Sequence, residues 1–117
     1  EIAALNWIKL NTPVDSVILG TLEEGHLINY FAERKNVLDS NFLLIPDAQQ
    51  RYEDVNLLYK VRFKTEAVRT LNKYDVNYIY FSSKFNKEEK LYYVDEDCFT
   101  KVYDNSIKIY EVLCEIK

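Results

Sequence analysis

Apolar and polar positions along the chain change period several times, and each change marks an element. In Glu1–Asn11 (EIAALNWIKLN), Ile2, Leu5 and Ile8 recur at helical spacing, which predicts a first helix packed on a sheet with Trp7 partly buried. Thr12-Pro13 ends it, because the residue before a proline avoids the helical region. Ser16-Val17-Ile18-Leu19-Gly20 is a continuous apolar run closed by glycine, the pattern of a strand buried on both faces. Thr21 and Glu24 form a T-x-x-E capping box, so a helix is expected to begin at Leu22 or Glu23. Glu23 and Glu24 then occupy its first turn, where the helix dipole favours anions. Leu27, Tyr30, Phe31 and Arg34 follow at helical spacing and predict one apolar stripe ending in a basic last turn. Asn36-Val37-Leu38-Asp39 reads as a second short strand. Strand, helix and strand make a β-α-β unit whose strand-end loops share an edge, so Gly20–His26 and Asp39–Phe42 are expected to meet there.

Beyond Asp39 the segment Ser40–Pro46 is apolar and irregular, and Ala48–Val61 returns to helical spacing with Tyr52, Val55, Leu58, Tyr59 and Arg62 along one side. Val61–Lys64 breaks the register. Thr65–Tyr74 reads as a further helix with Thr65 as its cap and Val68 and Leu71 turned inward. Val76–Phe81 is β-branched and aromatic, a central strand. Lys84–Lys90 is a charged connection, and Leu91–Val94 fits either a strand or a helical turn. Cys98–Tyr103 and Ile107–Ile116 alternate with period two around Asp104-Asn105-Ser106, a hairpin by its turn chemistry. The expected architecture is therefore a single α/β domain over residues 1–117. It is a layered mixed sheet with an N-terminal β-α-β unit, a C-terminal antiparallel hairpin, and the first and third strands in the middle.

Composition narrows the function. A chain of 117 residues with 48% hydrophobic and 29% charged positions is long enough to bury a core and is not that of a disordered segment. A net charge of −4 argues against a nucleic-acid partner, whose phosphates need a basic footprint. No apolar run approaches the ~20 residues of a membrane span, and no signal peptide is visible. Cys98 and Cys114 lack metal-ligand spacing. Placed diagonally by the hairpin register, they are expected to remain free, buried thiols.

Few residues offer chemistry. His26 is the single histidine, Glu23 and Glu24 point in different directions on a helix, and no Ser-His-Asp spacing or Gly-rich phosphate loop is present, so no catalytic residue is assigned. Asp39 and Asn41 at a strand end suit a hydroxylated ligand together with Glu23 or His26, or a turn closed through their own backbone. Most of the ten tyrosines and six phenylalanines, among them Tyr30, Phe31, Tyr59, Tyr78 and Tyr80, fall at core periodicity.

The order strand, turn, glycine, helix, basic residue, short strand and Asp-x-Asn resembles the soluble domain of membrane-bound oligosaccharyltransferase catalytic subunits. That family's turn, Trp-Trp-Asp-Tyr-Gly, aligns with Thr21-Leu22-Glu23-Glu24-Gly25, and its Asn-Arg-x-x-x-x-Asp-x-Asn segment with Glu33–Asn41. Gly25, Arg34, Asp39 and Asn41 match, both tryptophans are absent, and Glu23 and Glu24 stand in place of the aspartate and the tyrosine. The ending Cys98–Val112 also looks like the terminal hairpin of membrane glycosyltransferases that use lipid-linked sugars. The resemblance implies an extracytoplasmic domain of a membrane protein whose spans precede Glu1. Its partners would be its own membrane domain, a polypeptide or glycan acceptor, and a lipid-linked sugar. Catalytic acids and a divalent metal would sit in the membrane loops, with no cofactor or metal site in this domain. Glu23, Glu24, Gly25, His26, Asp39 and Asn41 become the candidate acceptor-binding residues, and the domain is expected to be inert alone. The other reading is a non-catalytic α/β sugar-binding or protein-interaction module using the same edge.

Overall fold

The computed structural model describes residues 2–21, 28–37, 48–82, 91, 93–105 and 107–115. Helix α1 (Ile2–Asn11) precedes strand β1 (Val17–Leu19), and residues 28–31 are helical (α2) before strand β2 (Lys35–Asn36). Helices α3 (Ala48–Leu58) and α4 (Lys64–Lys73) lead to β3 (Tyr78–Ser82), and β4 (Phe99–Asp104) and β5 (Ile107–Val112) form the terminal hairpin. The five strands lie in the order β2-β1-β3-β5-β4. β1 runs parallel to β2 and to β3, while β5 is antiparallel to β3 and to β4. The β-α-β unit, the hairpin and the interior position of β1 and β3 are as the sequence pattern predicts. Residues 91, 93 and 94 are in neither helix nor strand.

Each face of the sheet carries its own core, because side chains alternate along a strand. Ile18, Tyr78, Tyr80, Ile107 and Ile109 face α1 and α2, where they meet Ala4, Leu5, Ile8, Ile28 and Ala32. Leu19, Ile79, Phe81, Phe99 and Tyr110 face the other way, onto Val55, Leu58, Val68 and Leu71 of α3 and α4. β3 is buried at all five positions, as expected of the central strand in a three-layer sandwich.

Several boundaries and faces differ from expectation. Ile28 of α2 and Ala32 just after it are buried one turn apart, so the stripe predicted through Tyr30 and Phe31 is rotated outward and Tyr30 is 79% exposed. In α1 the inward face is Ala4, Leu5 and Ile8, while Ile2 is exposed; Trp7 is half-buried and lies 5.9 Å from the Tyr103 ring. β2 begins one residue earlier than predicted, at Lys35. Thr65 is not a cap: α4 starts at Lys64, and Phe63 holds the N-cap position in an extended conformation with no side-chain hydrogen bond. α4 ends with Val76 N–H donating to Leu71 O and Asp75 N–H to Asn72 O, a Schellman closure that places Asp75 at φ 56°.

The cysteines are not free thiols. Cys98 and Cys114 form a disulfide with Cα atoms 4.9 Å apart. The predicted register put Tyr103 opposite Ile107, which leaves the cysteines diagonal. In the structure Asp104 faces Lys108 and Tyr103 faces Ile109, two positions further along, and a bulge between Lys101 and Tyr103 returns one position so that Phe99 faces Val112. Leu113 N–H then donates to Cys98 O, and the chain leaves strand geometry after Val112, which brings Cys114 back to Cys98.

The bridge closes a separation of 16 residues around the hairpin, for which loss of unfolded-chain entropy is worth about 3 kcal/mol. Reduction, or the double substitution Cys98→Ala/Cys114→Ala, is expected to lower unfolding stability by about that amount in denaturant titrations. Equal stability in oxidising and reducing buffer would contradict this.

Candidate functional site

Parallel pairing dictates where a site can form. β1, β2 and β3 all point the same way, so their carboxyl ends, marked by Leu19-Gly20-Thr21, Val37 and Ser82, share one edge. The element after β1 is α2, packed in the core on one face; the helix after β2 is α3, packed in the core on the other. In the order β2-β1-β3 the chain passes from β1 to β2 on one side and crosses back to β3 on the other, so the strand order reverses between β1 and β3 and the crevice of the topological switch point opens outside their carboxyl ends. The carboxyl end of β2 lies on the same edge, beside that of β1. Glu23, Glu24, Gly25, His26, Asp39 and Asn41 all belong to the segments that follow β1 and β2, and all six lie outside the described residues, as does the Glu24 half of the capping box. Thr21, its other half, is buried at the end of β1.

What the structure does describe is how this edge is held. Tyr59, just past α3, donates its hydroxyl to Tyr80 O at 2.9 Å, with Leu19 O at 3.4 Å, tying the end of α3 to the middle of β3 and the end of β1. Arg51, one helical stretch earlier, reaches Val37 O at 3.4 Å just past β2. α3 is in turn fastened to α4 by Asp54, which accepts from Gln50 and from Lys73 and Tyr74. Burial pushes the Asp54 carboxyl up, but the hydrogen bonds from Tyr74, Gln50 and Lys73 outweigh it and hold the group below its usual range.

Arg34 does the corresponding work on the other face. It is buried and uses one N–H from Nε, to Thr12 Oγ1 at 3.0 Å, and two from each terminal nitrogen. Nη2 donates to Lys9 O and Thr12 O, both at 2.9 Å, and Nη1 to Ala32 O at 3.3 Å and Glu33 O at 3.1 Å. All five guanidinium donors are thereby used. They cap the carbonyl ends of α1 and α2 together, where the helix dipoles favour a cation. Glu33 turns at φ 55° to let the chain fold back, and its carboxylate pairs with Lys9 at 2.9 Å. The sequence identifies Arg34 as a basic last-turn residue; its second helix, 22 residues upstream, is visible only in the fold.

Among the described residues no group of three or more His, Cys, Asp or Glu side chains is arranged to hold a metal ion. No described helix is long and apolar enough to cross a membrane.

This architecture matches that of a known domain. The crystal structure of the C-terminal globular domain of oligosaccharyltransferase from Archaeoglobus fulgidus superposes with a TM-score of 0.67 and 20% sequence identity, over 95% of this chain and 95% of that one. The chain has the fold of that domain. No family model and no curated relative matches the sequence.

Replacing Arg34 by Met would leave four carbonyls and the Thr12 hydroxyl without their charged donor. It is expected to cost about 3 kcal/mol or more in urea unfolding, given the weight of buried charge-assisted bonds. Arg34→Lys would recover only part, because an ammonium cannot reproduce the planar fork. An Arg34→Met variant as stable as the parent would show that the two helix ends are held by something else.

Proposed function

We propose that the chain is the extracytoplasmic globular domain of an oligosaccharyltransferase-like membrane glycosyltransferase, where it contributes to acceptor binding and does not catalyse transfer by itself. The observation that carries this reading is the carboxyl edge shared by the parallel strands β1 and β2, in a fold similar from end to end to the oligosaccharyltransferase domain. The segments that resemble the family's acceptor-turn and Asp-x-Asn motifs follow those two strands. Glu23, Glu24, Gly25, His26, Asp39 and Asn41 would line the acceptor's approach, with the dipole of the helix that follows β1 favouring its polar groups. The disulfide supports an extracytoplasmic setting, since such bridges persist in oxidising compartments. The parent's membrane part would supply the lipid-linked donor and the catalytic groups.

Titration of the ¹⁵N-labelled chain with a peptide carrying an Asn-x-Thr sequon is expected to shift amides in 20–26 and 39–41. Incubation with a lipid-linked oligosaccharide and the same peptide is expected to give no transfer. Shifts confined to other surfaces, or none, would overturn the acceptor assignment. Turnover abolished by a point substitution in this chain would overturn the non-catalytic one.

A further inference from the structure

On the α3/α4 side of the hairpin a pocket of about 450 Å³ remains open, within the size range of small-molecule sites. Its lining includes Phe99, Thr100 and Lys101 of β4 and Tyr110 of β5, with Lys101 and Tyr110 directly paired across the strands. Asp95 and Glu96 of the preceding turn form a second wall. It lies away from the carboxyl edge of the parallel strands: β5 and β4 follow β3 in the sheet, and Phe99 faces Val112, whose N–H is bonded to Asn77 O just before β3 begins.

The pocket is built before any ligand arrives. Asp95 Oδ1 accepts the backbone N–H groups of Asp97 and Cys98, and its Oδ2 accepts Lys64 Nζ at 2.7 Å. The Lys64 hydrogen bond, with the Cys98 N–H, holds the Asp95 carboxyl below the usual range, so these bonds to the turn favour its ionised form. The disulfide at Cys98 anchors the same turn to the chain end. Burial pushes the Tyr110 phenol up, and its hydroxyl is protonated and a donor near neutral pH.

The mixture of groups selects the ligand. A phosphate would meet two carboxylates, Asp95 and Glu96, against one lysine that already pairs with Asp104 at 3.3 Å. An amine would find Asp95 already paired with Lys64 and Lys101 beside the one remaining carboxylate, and an aliphatic chain would strand the polar wall without partners. A neutral polyhydroxylated ring fits all of them. Its apolar face suits the Phe99 and Tyr110 floor, and its hydroxyls both donate to Glu96 and accept from Lys101, Thr100 and Tyr110. We propose that this pocket is a glycan subsite holding one neutral sugar ring, with Glu96, Lys101 and Tyr110 as its polar contacts. The inference does not depend on the glycosyltransferase reading and needs only the hairpin and its turn.

The test is an amide-shift titration of the 117-residue chain with methyl glycosides of neutral hexoses and N-acetylhexosamines, with glucose 6-phosphate as the charged comparator. Expected are saturable shifts centred on 94–101 and 110 at millimolar neutral sugar, an affinity of about 4 kcal/mol, and weaker binding of the phosphate. Glu96→Gln and Lys101→Ala change exposed side chains and are each expected to weaken binding about fivefold at unchanged melting temperature. The proposal is overturned if no neutral sugar shifts these amides up to about 50 mM, well above the millimolar range of weak sites. Shifts centred elsewhere, or binding undiminished in the folded Glu96→Gln/Lys101→Ala double variant, would overturn it equally.

Discussion

The five hydrogen bonds of Arg34 are the constraint on which the β-α-β unit depends. Two helices that end side by side present unpaired carbonyls to each other, and these cannot be buried without donors. One guanidinium inserted between α1 and α2 meets both ends and supplies the positive charge their dipoles favour. Lys35, the first residue of β2, follows immediately, so the clamp also sets where β2 enters the sheet beside β1. The carboxyl edge of those strands is thus positioned from behind by Arg34 and from the opposite face by Arg51 of α3 and by Tyr59 just past it.

The far end of the sheet is held by a different device. β4 is an edge strand attached only to β5, and an edge hairpin gains little from packing. The Cys98–Cys114 bridge closes it, and the Leu113 N–H to Cys98 O bond continues the ladder past β5. Asn77 joins the two ends: its backbone and side chain bind Val17 at the start of β1, while its carbonyl receives Val112 N–H at the end of β5. The Asp95 turn and its pocket lie against the clamped end.

Features that repeat locally were legible in the sequence. The period-two runs, the apolar β1 and β3 and the helical spacing of Val68 and Leu71 all identify their elements, because each is written within one segment. Features that depend on another segment were not. The phase of α2 is set by what lies above Ile18, so Ile28 and Ala32 turn inward and the more hydrophobic-looking Tyr30 and Phe31 turn out. The hairpin register depends on a bulge at Val102 that no residue type announces, and with it the cysteine pairing changed from diagonal to bonded. Arg34 looked like a helix terminus and is the terminus of two. For the candidate site, the sequence placed its segments after β1 and β2; the parallel pairing supplies the shared edge.

The account rests on those two segments converging at that edge. Glu24→Cys and Asn41→Cys carry nitroxide labels without disturbing the native cysteines, which are bonded to each other. Dipolar spectroscopy on the doubly labelled chain measures the separation directly. Adjacent parallel strands and their loops place the two backbones on the order of 10 Å apart, so strong coupling at short range is expected. A separation beyond about 25 Å, several strand spacings, would put the segments at different places on the domain and contradict the assignment of the edge as the acceptor site.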